Sequence, residues 1–118
     1  MKSRLDSFRF ACRGIVTLAA TQFNARIHLA VLAAVTAAGF ILEISATEWC
    51  LVILASATVI SMEAMNSALE FLADHTAPEW HHRVGKAKDM AAAAVLITSA
   101  GAAAVGIIVF LPHILNIL

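Results

Sequence analysis

Glu63, Asn66, Ser67, Glu70 and Asp74 recur at helical spacing and directly continue residues 49–62, a stretch with no charged side chain. At about 100° per residue, these five side chains fall within an arc of roughly 100° on a helix. Ionisable groups in a membrane segment are costly and face a protein interior or a wet cavity, which makes the stripe a functional-site hypothesis by default. Glu63 and Glu70 stand seven residues apart, about 10 Å along a helix axis, too far to share one proton. That separation suits two jobs: a deeper carboxylate acting on something dissolved in the bilayer, and a shallower one holding something polar. Lys88 and Asp89 add a cation and an anion to the same membrane face. Carboxylates, an amide and a lysine suit phosphoryl transfer from a nucleotide, with Mg²⁺ held by one or two carboxylates and the phosphates and with one carboxylate as base toward a hydroxyl. A proton relay uses intramembrane carboxylates as well. A non-catalytic membrane scaffold or proton-conducting subunit is therefore the alternative reading.

The elements that must position these residues are legible in the composition. Of 118 residues, 61% are hydrophobic and 14% charged, against roughly a quarter charged in soluble domains. Three stretches, about 27–44, 49–72 and 90–111, are each near the ~20 residues that span a bilayer as a helix. Over about 3–22, Lys2, Asp6, Arg9, Arg13 and Thr17 share one helical face, with Leu5, Phe8, Cys12 and Ile15 mostly opposite. The expected fold is an all-α membrane protein: three transmembrane helices preceded by an amphipathic surface helix. That first helix either anchors the chain or walls one side of the site, with Arg9 or Arg13 turned towards phosphate. Residues 1–118 read as one unit with no room for a separate soluble domain, so the site must be made from these helices and their connections.

All eight Lys and Arg lie before the first span (Lys2, Arg4, Arg9, Arg13, Arg26) or between the second and third (Arg83, Lys86, Lys88). The positive-inside rule places the N-terminus and residues 73–89 in the cytoplasm and the C-terminus outside. The spread of charge through the first 26 residues argues against a secretory signal. Cys12 and Cys50 are expected on opposite sides of the bilayer, unable to bridge. No Cys/His spacing resembles a zinc site, and His81-His82 reads as an exposed pair. Ser45-Ala-Thr-Glu48 predicts a capping box, and Thr76-Ala-Pro-Glu79 a similar helix start that makes Glu79 a cap. The third span is crowded with Ala and Gly, which allow close helix packing. Pro112 is expected to end it, leaving His113 structural or exposed beyond.

Glu63-Ala-Met-Asn-Ser-Ala-Leu-Glu70, then Asp74, then Gly85-Lys-Ala-Lys-Asp89-Met-Ala-Ala-Ala-Ala-Val-Leu-Ile97 closely resembles the signature of the small prokaryotic diacylglycerol kinase and undecaprenol kinase family. The resemblance covers nearly the whole chain, including Phe8-Arg-Phe-Ala-Cys-Arg-Gly14 and Asn24-Ala-Arg-Ile-His28. It implies a homotrimer in the bacterial inner membrane that transfers the γ-phosphate of MgATP to a lipid hydroxyl at the cytoplasmic interface, with no nucleic-acid partner. By position, Glu63 resembles the general base and Asn66 the neighbouring site asparagine. Glu70 resembles the carboxylate that binds metal and ATP, Lys88 the phosphate-contacting lysine, and Asp89 its acidic neighbour. Glu79, Trp80 and His81 match a segment that contacts nucleotide. Gln22 departs from the pattern, standing where the family usually places a second metal-binding Glu. Its oxygen carries no charge, so the metal is held more weakly, another carboxylate compensates, Gln22 acts through water, or activity has been lost. Asn24 to His28 and Glu48-Trp-Cys50 look more like the undecaprenol kinase branch, with diacylglycerol as the other substrate reading.

Overall fold

Ser3 starts the first helix: its hydroxyl accepts the Asp6 amide N–H at 3.1 Å, and Asp6 places negative charge at the helix N-terminus. The computed structural model describes residues 3–118, so Lys2, expected on the basic face of that helix, lies outside the described residues. Helix α1 runs Arg4–Thr21. Gln22, with extended backbone (φ −113°, ψ 112°), closes α1 and opens α2, Phe23–Ile41. Thr17 and Thr21 donate their hydroxyls to carbonyls four residues back, at 2.9 and 2.7 Å. Such bonds satisfy the hydroxyl without water.

The turn from α2 into α3 is tight. Glu43 adopts a left-handed φ of 52°, uncommon for a residue with a Cβ. The Trp49 indole lies so close to Gly39 that a Cβ there would come within 2.6 Å of it. Phe40 flanks the same indole with ring centroids 4.9 Å apart. The expected capping box opens α3: Glu48 N–H donates to Ser45 Oγ at 3.2 Å, and Ser45 N–H donates to Glu48 Oε1 at 3.0 Å.

Helix α3 spans Ala46–Thr76 and α4 spans His82–Ile117. With α2 they are long and apolar enough to cross a membrane, as the three sequence stretches predict. The 31 residues of α3 extend about 46 Å, beyond the ~30 Å of a bilayer's hydrocarbon. The helix therefore has length to carry polar residues clear of the lipid. α3 and α4 form the main helix pair, and Ile44, Val52 and Val109 make the buried apolar cluster at the end remote from the polar stripe. Most large apolar side chains, such as Ile53, Leu96 and Ile108, face outward, as lipid permits.

Two expected boundaries are corrected. Thr76 does not start a helix; it is the last residue of α3, and its hydroxyl donates to Leu72 O at 2.8 Å. Pro78 and Glu79 belong to the 77–81 connection, and His81 rather than Glu79 caps α4, its Nδ1 accepting the Arg83 N–H at 3.2 Å. Pro112 does not end α4, which continues to Ile117. The proline forfeits one helical N–H, but in lipid a helix remains the way a single segment satisfies its other backbone groups. The continuation brings His113 Nε2 to 3.1 Å from both oxygens of Glu48, tying α4 to the start of α3. Cys12 and Cys50 are free and exposed.

Candidate active site

The polar stripe grades from enclosed to exposed along α3. Glu63 is 3% exposed and Ser67 is buried beside it. Asn66 is half-buried, and its Oδ1, like Ser67 Oγ, is enclosed without a protein hydrogen-bond partner. Unsatisfied buried oxygens are costly and mark a place for a donor to arrive. Across from Glu63, His28 of α2 places Nε2 at 3.7 Å from Oε2, the carboxylate's ion-pair partner among the described residues. A buried ionisable group is costly unless a polar partner faces it, and the His28 imidazole is the polar group set beside Glu63. The sequence names His28 only within the Asn24 to His28 segment; its meeting with Glu63 depends on how α2 crosses α3. Two apolar grooves flank this region. One of about 250 Å³ begins at His28 and runs past Val31, Val59 and Ser99 to Phe110. The other, about 670 Å³, lies between α1 and α3 beside Arg13, Leu18, Met65 and Ser67.

Two turns further along α3, Glu70 is exposed and has no hydrogen-bond partner among the described residues. One turn beyond it, Asp74 Oδ1 accepts from Lys88 Nζ at 2.7 Å, joining the end of α3 to the start of α4. Lys88 precedes the uncharged part of α4. Its hydrogen bond to Asp74, against some desolvation, raises its pKa above the usual lysine value, and Glu70 adds to the attraction. Asp89 follows, exposed.

The other expected residues fall outside these two contact sets. Trp80 is 81% exposed, yet its indole nitrogen lies 3.3 Å from where a Cβ on Gly85 would sit, and its ring meets His82 edge-on at 6.1 Å. A side chain at Gly85 would press on the exposed ring and shift it by a few tenths of an ångström. Gln22, at the α1–α2 junction, donates its amide to Thr21 Oγ1 at 3.3 Å. No side-chain hydrogen bond or ion pair among the described residues links Gln22, Glu79, Trp80, His81 or Asp89 to Glu63 or Glu70. The structure thus brings together Glu63 with His28, and Asp74 with Lys88 near Glu70.

The described residues form no ready-made metal cage. Among the described residues no group of three or more His, Cys, Asp and Glu gathers to hold a metal. The exposed Glu70 carboxylate is a hard oxygen donor, the kind that a cation taking its other ligands from phosphates and water would use.

The family model for prokaryotic diacylglycerol kinase matches residues 9–110. An undecaprenol kinase of Bacillus subtilis is 35% identical over 92% of this chain and 88% of its own length. A diacylglycerol kinase of Synechocystis is 38% identical over 97% of this chain and 66% of its own length. A diacylglycerol kinase of Escherichia coli is 42% identical, but over 58% of this chain and 56% of its own length. The matched region contains the Glu63 to Glu70 stripe, the His28 contact and the Asp74–Lys88 bridge, and on that match the chain belongs to the prokaryotic diacylglycerol kinase family.

Proposed function

We propose that the protein is a lipid kinase that transfers the γ-phosphate of ATP to the hydroxyl of a membrane lipid, undecaprenol or diacylglycerol, at the cytoplasmic face of the bacterial inner membrane. The observation that carries this reading is the division of α3: a buried carboxylate paired with His28 at one level, and Glu70 with the Asp74–Lys88 pair two turns on. The first level suits a lipid hydroxyl and the second a nucleotide phosphate.

In this mechanism Glu63 takes the proton of the lipid hydroxyl as its oxygen attacks the γ-phosphorus. The new O–P bond forms, the bond between the γ-phosphorus and its bridging oxygen breaks, and ADP leaves with that electron pair. Asn66 orients the hydroxyl or a phosphate oxygen by its amide. Lys88 supplies positive charge to the phosphates, with Asp89 beside it on the nucleotide. Glu70, with Gln22 as a neutral second ligand, would hold Mg²⁺, which when bound neutralises phosphate charge. Glu79, Trp80 and His81 form the nucleotide-side wall, where the exposed indole offers a flat face for a base. Residues 1–118 act as one kinase unit, with α1 as an amphipathic helix on the inner surface and three copies forming a homotrimer. The basic 83–88 stretch supports a cytoplasmic site. The undecaprenol kinase of Bacillus subtilis, matched over 88% of its length, makes undecaprenol the first lipid to test.

The test is transfer of γ-phosphate label from ATP to each lipid in mixed micelles, with Glu63→Gln alongside. Proton flux abolished by the same substitution, without lipid phosphorylation, would instead support a conducting subunit.

A further inference from the structure

The stretch 83–88 carries three basic residues, Arg83, Lys86 and Lys88, and among the described residues only Lys88 meets a carboxylate: its Nζ lies 2.7 Å from Asp74 Oδ1. The two side chains are 37% and 68% exposed. Ion pairs this open add little to stability, and α3 and α4 are already joined by Val52 against Val109 and by Glu48 with His113. The bridge is therefore not what holds the helices together. Its consequence is to fix one end of a long, flexible side chain, whose ordering otherwise costs entropy when a ligand binds. An ammonium has three donors, and Asp74 uses one, leaving two for other acceptors. Glu70 lies one turn before Asp74 on the same face of α3, so the ammonium is held where the stripe turns polar.

We propose that Asp74 is a positioning residue for nucleotide: it pre-places the Lys88 ammonium at the mouth between α3 and α4 so that its remaining donors meet phosphate oxygens. This rests on the reading that Lys88 contacts phosphate. Asp74 touches no substrate in this account and acts through Lys88.

Steady-state kinetics of Asp74→Asn, Asp74→Glu, Lys88→Met and the Asp74→Asn/Lys88→Met double variant test it, with a thermal melt of each in detergent. Asp74→Asn should raise the KM for MgATP about threefold to fivefold, the upper range for an exposed pair, with smaller effects on kcat and on the KM for lipid. Asp74→Glu should restore most of the loss. In the Lys88→Met background, Asp74→Asn should add nothing, because the partner it works through is gone. An equal effect in both backgrounds would overturn the proposal, as would a lowered KM for MgATP, which would make Asp74 a competitor of phosphate. Lys88→Met with unchanged KM would remove the phosphate role of Lys88 itself. Lys88→Met raising KM while Asp74→Asn does not would remove only the role of Asp74.

Discussion

Glu63 is enclosed where Glu70 is open, although both sit on one face of one helix. In the proposed mechanism this difference separates their partners: a group arriving through lipid would meet Glu63, and a hydrated phosphate or cation would meet Glu70. Spacing alone made this division legible, because seven residues on a helix set the two carboxylates at different depths. His28 was hidden, since nothing in a single chain says which residue of α2 faces Glu63. Gln22 carries the residue-scale prediction. If it lies in the metal's coordination shell, Gln22→Glu adds a charge there and lowers the Mg²⁺ concentration for half-maximal rate, by about tenfold on the scale of shell partners. A metal titration of the kinase rate checks this, and an unchanged half-saturation places Gln22 outside the shell.

At the level of elements, the capping box of Ser45 and Glu48 was readable because it depends on residues three apart. The start of α4 was not. Thr76-Ala-Pro-Glu79 has the chemistry of a helix start, but Thr76 bonds back to Leu72 and prolongs α3, leaving His81 to open α4. Pro112 misled because proline costs a helix only its own N–H bond to the preceding turn, and α4 absorbs that loss and runs on to Ile117. The α2–α3 turn offers the clearest structural test. Gly39→Val would drive a side chain into the Trp49 indole, which already leaves no room for a Cβ. Overpacking of this kind costs about 1–3 kcal/mol, so thermal unfolding in detergent should show a lowered Tm. A Tm equal to the parent's would mean the Trp49 ring moves aside freely.

For the molecule as a whole, three apolar helices with outward-facing side chains require lipid around them, and the sequence conveyed that through composition alone. The basic residues, which lie up to Arg26 or between Arg83 and Lys88, are the ground for proposing a cytoplasmic N-terminus and site. In a cysteine-free background, Glu43→Cys should react with an impermeant maleimide on intact cells, and Lys86→Cys only after permeabilisation. Reversed labelling would place the nucleotide site on the wrong side for ATP. The central claim is lipid phosphorylation with Glu63 as base. Its most direct measurement supplies purified protein in mixed micelles with γ-labelled ATP, Mg²⁺ and either undecaprenol or diacylglycerol. Label should pass to at least one of these lipids, and Glu63→Gln should cut kcat about a hundredfold or more, as loss of a general base does. No label on either lipid, or transfer by Glu63→Gln at the parent's rate, would contradict the account.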